Sequence, residues 1–214
     1  KILNQEVFKI VYKRVIKSKL ISKAIILTTT LKTDDKIVKI CKKSKIPYFR
    51  GNSLNVLKRY YYAAKKYNLK NIVRITSDCP LVDPEVIDKI CKKYSSKKYH
   101  YVSNVLKPTY PDGYDVEIFN FNTLEKVYRK AKTKFEKEHV TTKMIKDKNL
   151  KKINIQLYKN YSNFRFTLDT ISDFNKIKEI FEKEKSIYKP NLNLVLREAL
   201  KKGNYYKIKR QNYF

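Results

Sequence analysis

The segment from Asn71 to Pro84 constrains the fold of this chain more than any other. It opens as an apolar, β-branched run, Ile72-Val73-Arg74-Ile75-Thr76, and ends in Ser77-Asp78. A Pro turn follows, and Asp83-Pro84-Glu85 then starts a helix with Asp as N-cap and Pro at the first helical position. A buried strand that carries an Asp at its carboxyl end and feeds a helix is how open α/β sheets build ligand sites. Asp78 is well placed there to hold a metal on a nucleotide phosphate.

The flanking pattern extends this unit. Val7, Val11 and Val15 recur at helical spacing, and 24–30 (AIILTTT) reads as a buried strand. A helix is expected over 34–43, a short strand over 46–49, and a helix capped by Asn52 or Ser53 running to Tyr67. The strand 71–76 and the helix 84–94 follow. Beyond them the spacing predicts strands at 101–105, 114–119, 153–158 and 164–168. Helices are expected at 123–132, 135–147, 171–185 and 192–202, with a patternless tail over 204–214. Strand–helix alternation through the first hundred residues predicts an α/β fold: a Rossmann-like, mostly parallel sheet with helices on both faces. No repeat or Gly/Ser linker divides the 214 residues, so one domain is expected over 1–214.

The net charge of +30 invites a nucleic-acid reading. The residue choice argues against it. Lysine dominates, basic residues never run beyond two in a row, and Lys, Asn, Ile and Tyr abound while Gly is scarce. An A/T-rich genome leaves that composition on any protein. No 18-residue apolar run predicts a membrane span, and no signal-peptide pattern is present. The three cysteines, Cys41, Cys79 and Cys91, fit no zinc or CxxC spacing. Core thiols in a reduced, cytoplasmic setting are expected. The chain begins at Lys1 rather than Met, almost directly in a helix, so a missing upstream piece is expected.

Other polar residues stand out by context. Asp169 ends the run Arg165-Phe166-Thr167-Leu168. Thr170-x-x-Asp173 resembles a capping box, which would leave Asp169 uncommitted at a strand end. Two strand-end carboxylates suit Mg²⁺, which takes one or two from the protein and completes its shell with water and phosphate oxygens. The alternative is that Asp169 is itself the cap and Asp78 merely closes a strand. Arg50-Gly51-Asn52-Ser53 is either an anion-binding loop before a helix or an ordinary turn. Pro111-Asp112-Gly113-Tyr114-Asp115-Val116-Glu117 places Asp115 and Glu117 on one strand face, for a polar substrate or as a solvated hairpin. His139 heads a helical segment, and a lone His there is more often structural.

Taken in order, these blocks resemble a known family. Phe49-Arg50-Gly51, Val56-Leu57-x-Arg59-Tyr60, Arg74 through Pro84, Pro111 through Glu117, Glu138-His139-Val140-Thr141 and Thr167-Leu168-Asp169-Thr170 are similar to the spore-coat-polysaccharide type of cytidylyltransferase. That group is related to the acylneuraminate and 3-deoxy-manno-octulosonate cytidylyltransferases. The likeness covers roughly 1–185. It implies a nucleotidyltransferase with CTP as donor, Mg²⁺ as cofactor and a sugar or sugar acid as acceptor. By analogy Asp78 and Asp169 match the metal carboxylates. Lys1, Arg50, Gly51, Arg74, Thr76 and Ser77 match the nucleotide side. Asp112, Gly113, Asp115, Glu117 and His139 match the acceptor side, and Arg165 a phosphate or carboxylate partner. Relatives often pair as homodimers. Two departures accompany the likeness. The family's first strand and most of its triphosphate-wrapping loop are missing, Lys1 matching that loop's last residue. Ser77 stands where a Gly is common. A basic nucleic-acid-binding domain and a non-catalytic remnant are the competing expectations.

Overall fold

The structure, a computed structural model, describes residues 1–94 and 98–208. The end of the expected patternless tail, 209–214, lies outside them. The chain opens with a tight turn in which Ile2 and Gln5 exchange backbone hydrogen bonds, with Leu3 and Asn4 at positive φ. Then come α1 (Val7–Val15), β1 (Ile26–Thr29), α2 (Asp35–Lys43), β2 (Tyr48–Gly51), α3 (Val56–Lys66), β3 (Asn71–Arg74) and α4 (Pro84–Tyr94). The second half holds β4 (Tyr101–Ser103), β5 (Glu117–Asn120), α5 (Phe121–Lys130), α6 (Lys134–Glu138), α7 (Thr142–Lys146), β6 (Lys152–Asn154), α8 (Ile171–Glu184) and α9 (Leu192–Lys201).

β1 and β2 form a parallel pair, and the other strands form a second sheet in the order β3-β5-β4-β6. β4 and β6 are parallel, and β5 runs against both β3 and β4. Three of the four strands therefore share one direction. Successive strand residues alternate between two apolar layers, as the pleat requires. Val73, Val102 and Ile118 pack with Ile10, Val11, Ile87 and Phe181 on one face. Ile72, Tyr101 and Phe119 pack with Leu57, Leu124 and Met144 on the other. Helices α1, α4, α8 and α9 cover the first face and α3, α5 and α7 the second, so the sheet is wound on both sides.

Several boundaries moved for identifiable reasons. The cap of α3 is Asn55, whose carboxamide oxygen accepts from Lys58 N at 2.7 Å. Asn52, one of the expected caps, instead accepts from Leu54 N and Asn55 N and shapes the turn. The helix expected over 135–147 is split at His139, whose carbonyl is taken by both the N–H and the hydroxyl of Thr142. Only Glu117–Asn120 of the expected strand 114–119 joins the ladder. The buried Asn104 takes over before it, accepting from Val116 N and donating to Tyr114 O. The expected strand 164–168 is extended chain with isolated bridges, not a ladder member.

One buried cation joins distant parts of the chain. Arg14, 1% exposed on α1, donates to the carbonyls of Leu81, Val82, Ile187 and Pro190. The Leu81 and Val82 carbonyls belong to the turn after Asp78. The other two belong to the approach to α9.

Candidate active site

β3 stops at Arg74, and the chain then turns through Thr76–Cys79. Cys79 N donates to Thr76 O, and the Thr76 hydroxyl lies 3.1 Å from the Cys79 sulfur. Within this turn Ser77 is exposed and Asp78 half-buried. The Asp78 carbonyl accepts from Leu168 N at 2.9 Å. That bond lays the stretch leading to Asp169 directly against the Asp78 turn. The same stretch is held from its other side: Asp112 N donates to Phe164 O, and Phe166 N donates to Asp112 O. Gly113 is required here. Its φ is +99°, and a Cβ would stand 2.7 Å from the Phe166 carbonyl oxygen.

Three chain segments are thus sewn together by backbone bonds, and Asp78, Asp112 and Asp115 all act on one buried thiol. The buried Cys79 thiol is pushed well above its ordinary pKa by burial first, and then by the negative charges of Asp78, Asp115 and Asp112. Asp78 Oδ1 lies 3.5 Å from that sulfur. Asp169 leads into α8, where Thr170 and Asp173 form a full capping box. Thr170, not Asp169, is therefore the cap. One oxygen of Asp169 is instead bonded by Arg165 and by the Thr167 hydroxyl, and Arg165 Nε also reaches Thr167.

These oxygens are hard donors of the kind Mg²⁺ prefers, and a pair of carboxylates is its usual protein share. Among the described residues no group of three or more His, Cys, Asp or Glu is arranged as a closed metal cage. The donor set fits an ion that keeps water and phosphate oxygens in its shell. It does not fit a structural zinc site.

A second group of polar residues lies at the carboxyl end of the β1–β2 pair. Arg50 donates through Nε to Thr29 O at 2.8 Å and through Nη2 to Leu31 O at 2.9 Å, and it pairs with Asp35 at 2.7 Å. Gly51 is needed because a Cβ there would meet Arg59 Cγ at 2.8 Å. Asp34 accepts from the hydroxyls of Thr28 and Thr29 and from Thr29 N. Those bonds, the Thr29 hydroxyl foremost, hold its carboxyl below the usual range.

Other expected site residues sit elsewhere. Glu117, expected to face a substrate beside Asp115, has its carboxylate buried inside the sheet. It accepts from Arg74 at 2.5 Å and from the Tyr101 hydroxyl at 2.5 Å, and its side chain is 3% exposed. Burial opposes the Arg74 charge, but Glu117 more than offsets it and the guanidinium pKa rises. Tyr101 is pushed up strongly by burial and then by Glu117. Both expected ligand contacts, Arg74 and Glu117, are thus engaged with each other. Lys1 is exposed and pairs with Glu6 at 3.6 Å at the start of α1. His139 ends α6, its ring 4.3 Å from that of Phe135. Arg59 carries a site signal beyond those expected. Its Nε is buried without a hydrogen-bond partner, close to Asp34 and Tyr60. Its place in Val56-Leu57-x-Arg59-Tyr60 was visible as motif but not as chemistry.

Comparison with known proteins identifies the family. The chain is 36% identical over 179 residues to an uncharacterised protein of Methanocaldococcus jannaschii, covering 81% of this chain and 72% of that one. It is 28% identical over 165 residues to the spore coat polysaccharide biosynthesis protein SpsF of Bacillus subtilis, covering 74% and 67%. A solved cytidylyltransferase of Leptospira borgpetersenii superposes with a TM-score of 0.87 at 28% identity, covering 97% of this chain and 88% of that one. The cytidylyltransferase family model matches residues 1–207, past the limit near 185 that the motifs suggested. The turn that carries Asp78 and the stretch that carries Asp169 therefore belong to a nucleotidyltransferase, and this chain is a member of the cytidylyltransferase family.

Proposed function

We propose that the protein transfers a cytidylyl group from CTP to a hydroxyl of a sugar or sugar acid, in the synthesis of surface polysaccharide or glycan. The acceptor oxygen forms a bond to the α-phosphorus of CTP as the bond to pyrophosphate breaks, and the hydroxyl proton is released. The single observation that carries the reading is the hydrogen bond from Leu168 N to Asp78 O. It puts two acids from distant parts of the chain at one sheet edge, with Asp112 and Asp115 alongside.

Nucleotidyl transfer asks a protein for in-line positioning and for positive charge where negative charge builds up. Asp78 and Asp169 are the residues that would hold Mg²⁺. When bound, that ion supplies charge neutralisation on the phosphate and lowers the acceptor's proton affinity. Arg165 orients Asp169 by donating to its carboxylate. Arg50, with its three protein contacts, is poised at the β1–β2 edge for the nucleotide, beside Gly51. Thr76 and Ser77 line the turn nearest the phosphates, and Asp112, Gly113 and Asp115 form the acceptor side. The family match and the relative named for polysaccharide biosynthesis support this assignment.

The test is pyrophosphate release from CTP with Mg²⁺ and a panel of sugars and sugar acids. Asp78→Asn and Asp169→Asn are each expected to lower the rate by about 10²-fold or more, as loss of a charge stabiliser does. Unchanged rates in both variants would overturn the site assignment. Silence with every acceptor, while oligonucleotides bind in a steeply salt-dependent way, would favour the basic nucleic-acid-binding alternative.

A further inference from the structure

The stretch that leads to Asp169 joins neither sheet, yet isolated bridges flank it on both edges. On one edge Asp112 N donates to Phe164 O at 3.0 Å, and Phe166 N donates to Asp112 O at 2.8 Å. On the other edge Arg165 N donates to Tyr206 O at 3.0 Å, and Ile208 N donates to Asn163 O at 2.8 Å. Phe164 thereby stands opposite Lys207 in an antiparallel bridge. The middle stretch is held from one side by the loop that carries Gly113 and from the other by the segment that follows α9.

The alternation of extended chain makes that pairing matter for one side chain. Phe164 and Phe166 are both buried, so Arg165 between them points the opposite way. There it donates to the Asp169 carboxylate and to the Thr167 hydroxyl. An extended chain bonded on one edge can roll about that edge, and one bonded on both edges cannot. The rings add a second tie. The buried Tyr206 stands 5.2 Å from Phe166, and Phe166 meets Tyr114 edge to face at 6.1 Å. Contact thus runs from the segment after α9, across the middle stretch, to the loop at Gly113.

That segment is attached apart from α9. The helix ends at Lys201, and Gly203 leaves it at φ +58°, where an added Cβ would touch nothing. Two backbone bonds and one fully buried ring open more readily than the helix before them.

We infer that 206–208 is a positioning strap for Asp169. Paired with 163–165, it fixes the roll of Arg165 and through it the carboxylate. Released, it leaves the sheets and α9 intact and the carboxylate out of line with Asp78. Tyr206 and Ile208 are thus positioning residues, an inference that rests on the role proposed above for Asp169.

The experiment places Ile208→Pro in the whole protein. Lys207 already has a ψ of 144°, which a following proline accepts, so the change removes the N–H that bonds Asn163. Amide hydrogen exchange is expected to quicken about 10-fold at Arg165, as for the loss of one backbone bond. It is also expected to quicken at Leu168, which donates to Asp78 O. Exchange at Val195 and Ala199 of α9 is expected to stay as it was. With CTP, Mg²⁺ and an acceptor, kcat for pyrophosphate release should fall about 10- to 100-fold at an unchanged KM for CTP. Ile208→Val, which keeps the N–H, should restore it. Unchanged exchange at Leu168, parallel quickening in α9 or an unchanged kcat would each overturn the strap. If the unmodified protein releases no pyrophosphate either, the proposed reaction fails, and exchange at Arg165 and Leu168 decides the strap by itself.

Discussion

The β3 side and the β1–β2 side of the molecule hold their polar residues by different means. On the β3 side the acids are carried on main chain bonded to main chain: Asp78 O to Leu168 N, and Asp112 to both Phe164 and Phe166. On the β1 side Arg50 is held by its own side chain, against two carbonyls and the exposed Asp35. Backbone ties fix position without side-chain entropy, whereas long side chains keep alternatives within reach. Under the function proposed above, the acid cluster is held ready for a cation, whereas the Arg50 edge can rearrange around a nucleotide.

Four substitutions break or sharpen that contrast. The largest effect is expected from Glu117→Gln, which leaves Arg74 without its counter-charge in the sheet. Urea unfolding should show a loss of about 3–5 kcal/mol. An unchanged midpoint with a raised acceptor KM would return Glu117 to the substrate side. Gly113→Ala comes next. Strain at positive φ and the close Phe166 carbonyl should cost about 1–3 kcal/mol, and a neutral result would mean that the 111–114 loop yields.

On the β1–β2 side, Asp34→Asn is expected to cost about 1 kcal/mol at pH 7. The folded-state pKa of Asp34 lies below its ordinary 3.8, so its stabilisation is present above 3.8 and fades as pH falls through the folded value. Stability curves of the two proteins should therefore converge in acid; a gap that persists would assign the effect to packing. Arg50→Ala should be the mildest, about 0.5 kcal/mol, since its Asp35 partner is 59% exposed and solvent screens the pair. Its expected signature is a raised KM for CTP. A loss of stability comparable to that of Gly113→Ala would show that this side is as rigid as the first.

How much of the structure is legible in the sequence follows the range of the interactions. Thr170 and Asp173 cap α8 through neighbours three residues apart, so the release of Asp169 from capping was visible in the chain. Asn52, Ser53 and Asn55 are all competent caps, and only the turn geometry chooses Asn55. The stretch 164–168 alternates like a strand, yet the N–H groups of Arg165, Phe166 and Leu168 go to Tyr206, Asp112 and Asp78, partners that lie far away in sequence. Glu117 was expected to share a strand face with Asp115, but Asp115 lies outside β5 and strand register turns Glu117 toward Arg74 of the neighbouring strand. The acids of the site were legible as residue types. The internal ion pair that claims one of them was not.

Arg14 has a consequence for how the chain can be cut. Its guanidinium fork is shared between carbonyls near residue 81 and carbonyls near residue 188. Trimming the protein before Ile187 would strand a buried cation and loosen the loop on which Asp78 rests. The last two helices are thus a buttress rather than an appendage, and a lysine at position 14, with its single ammonium, would brace one side only.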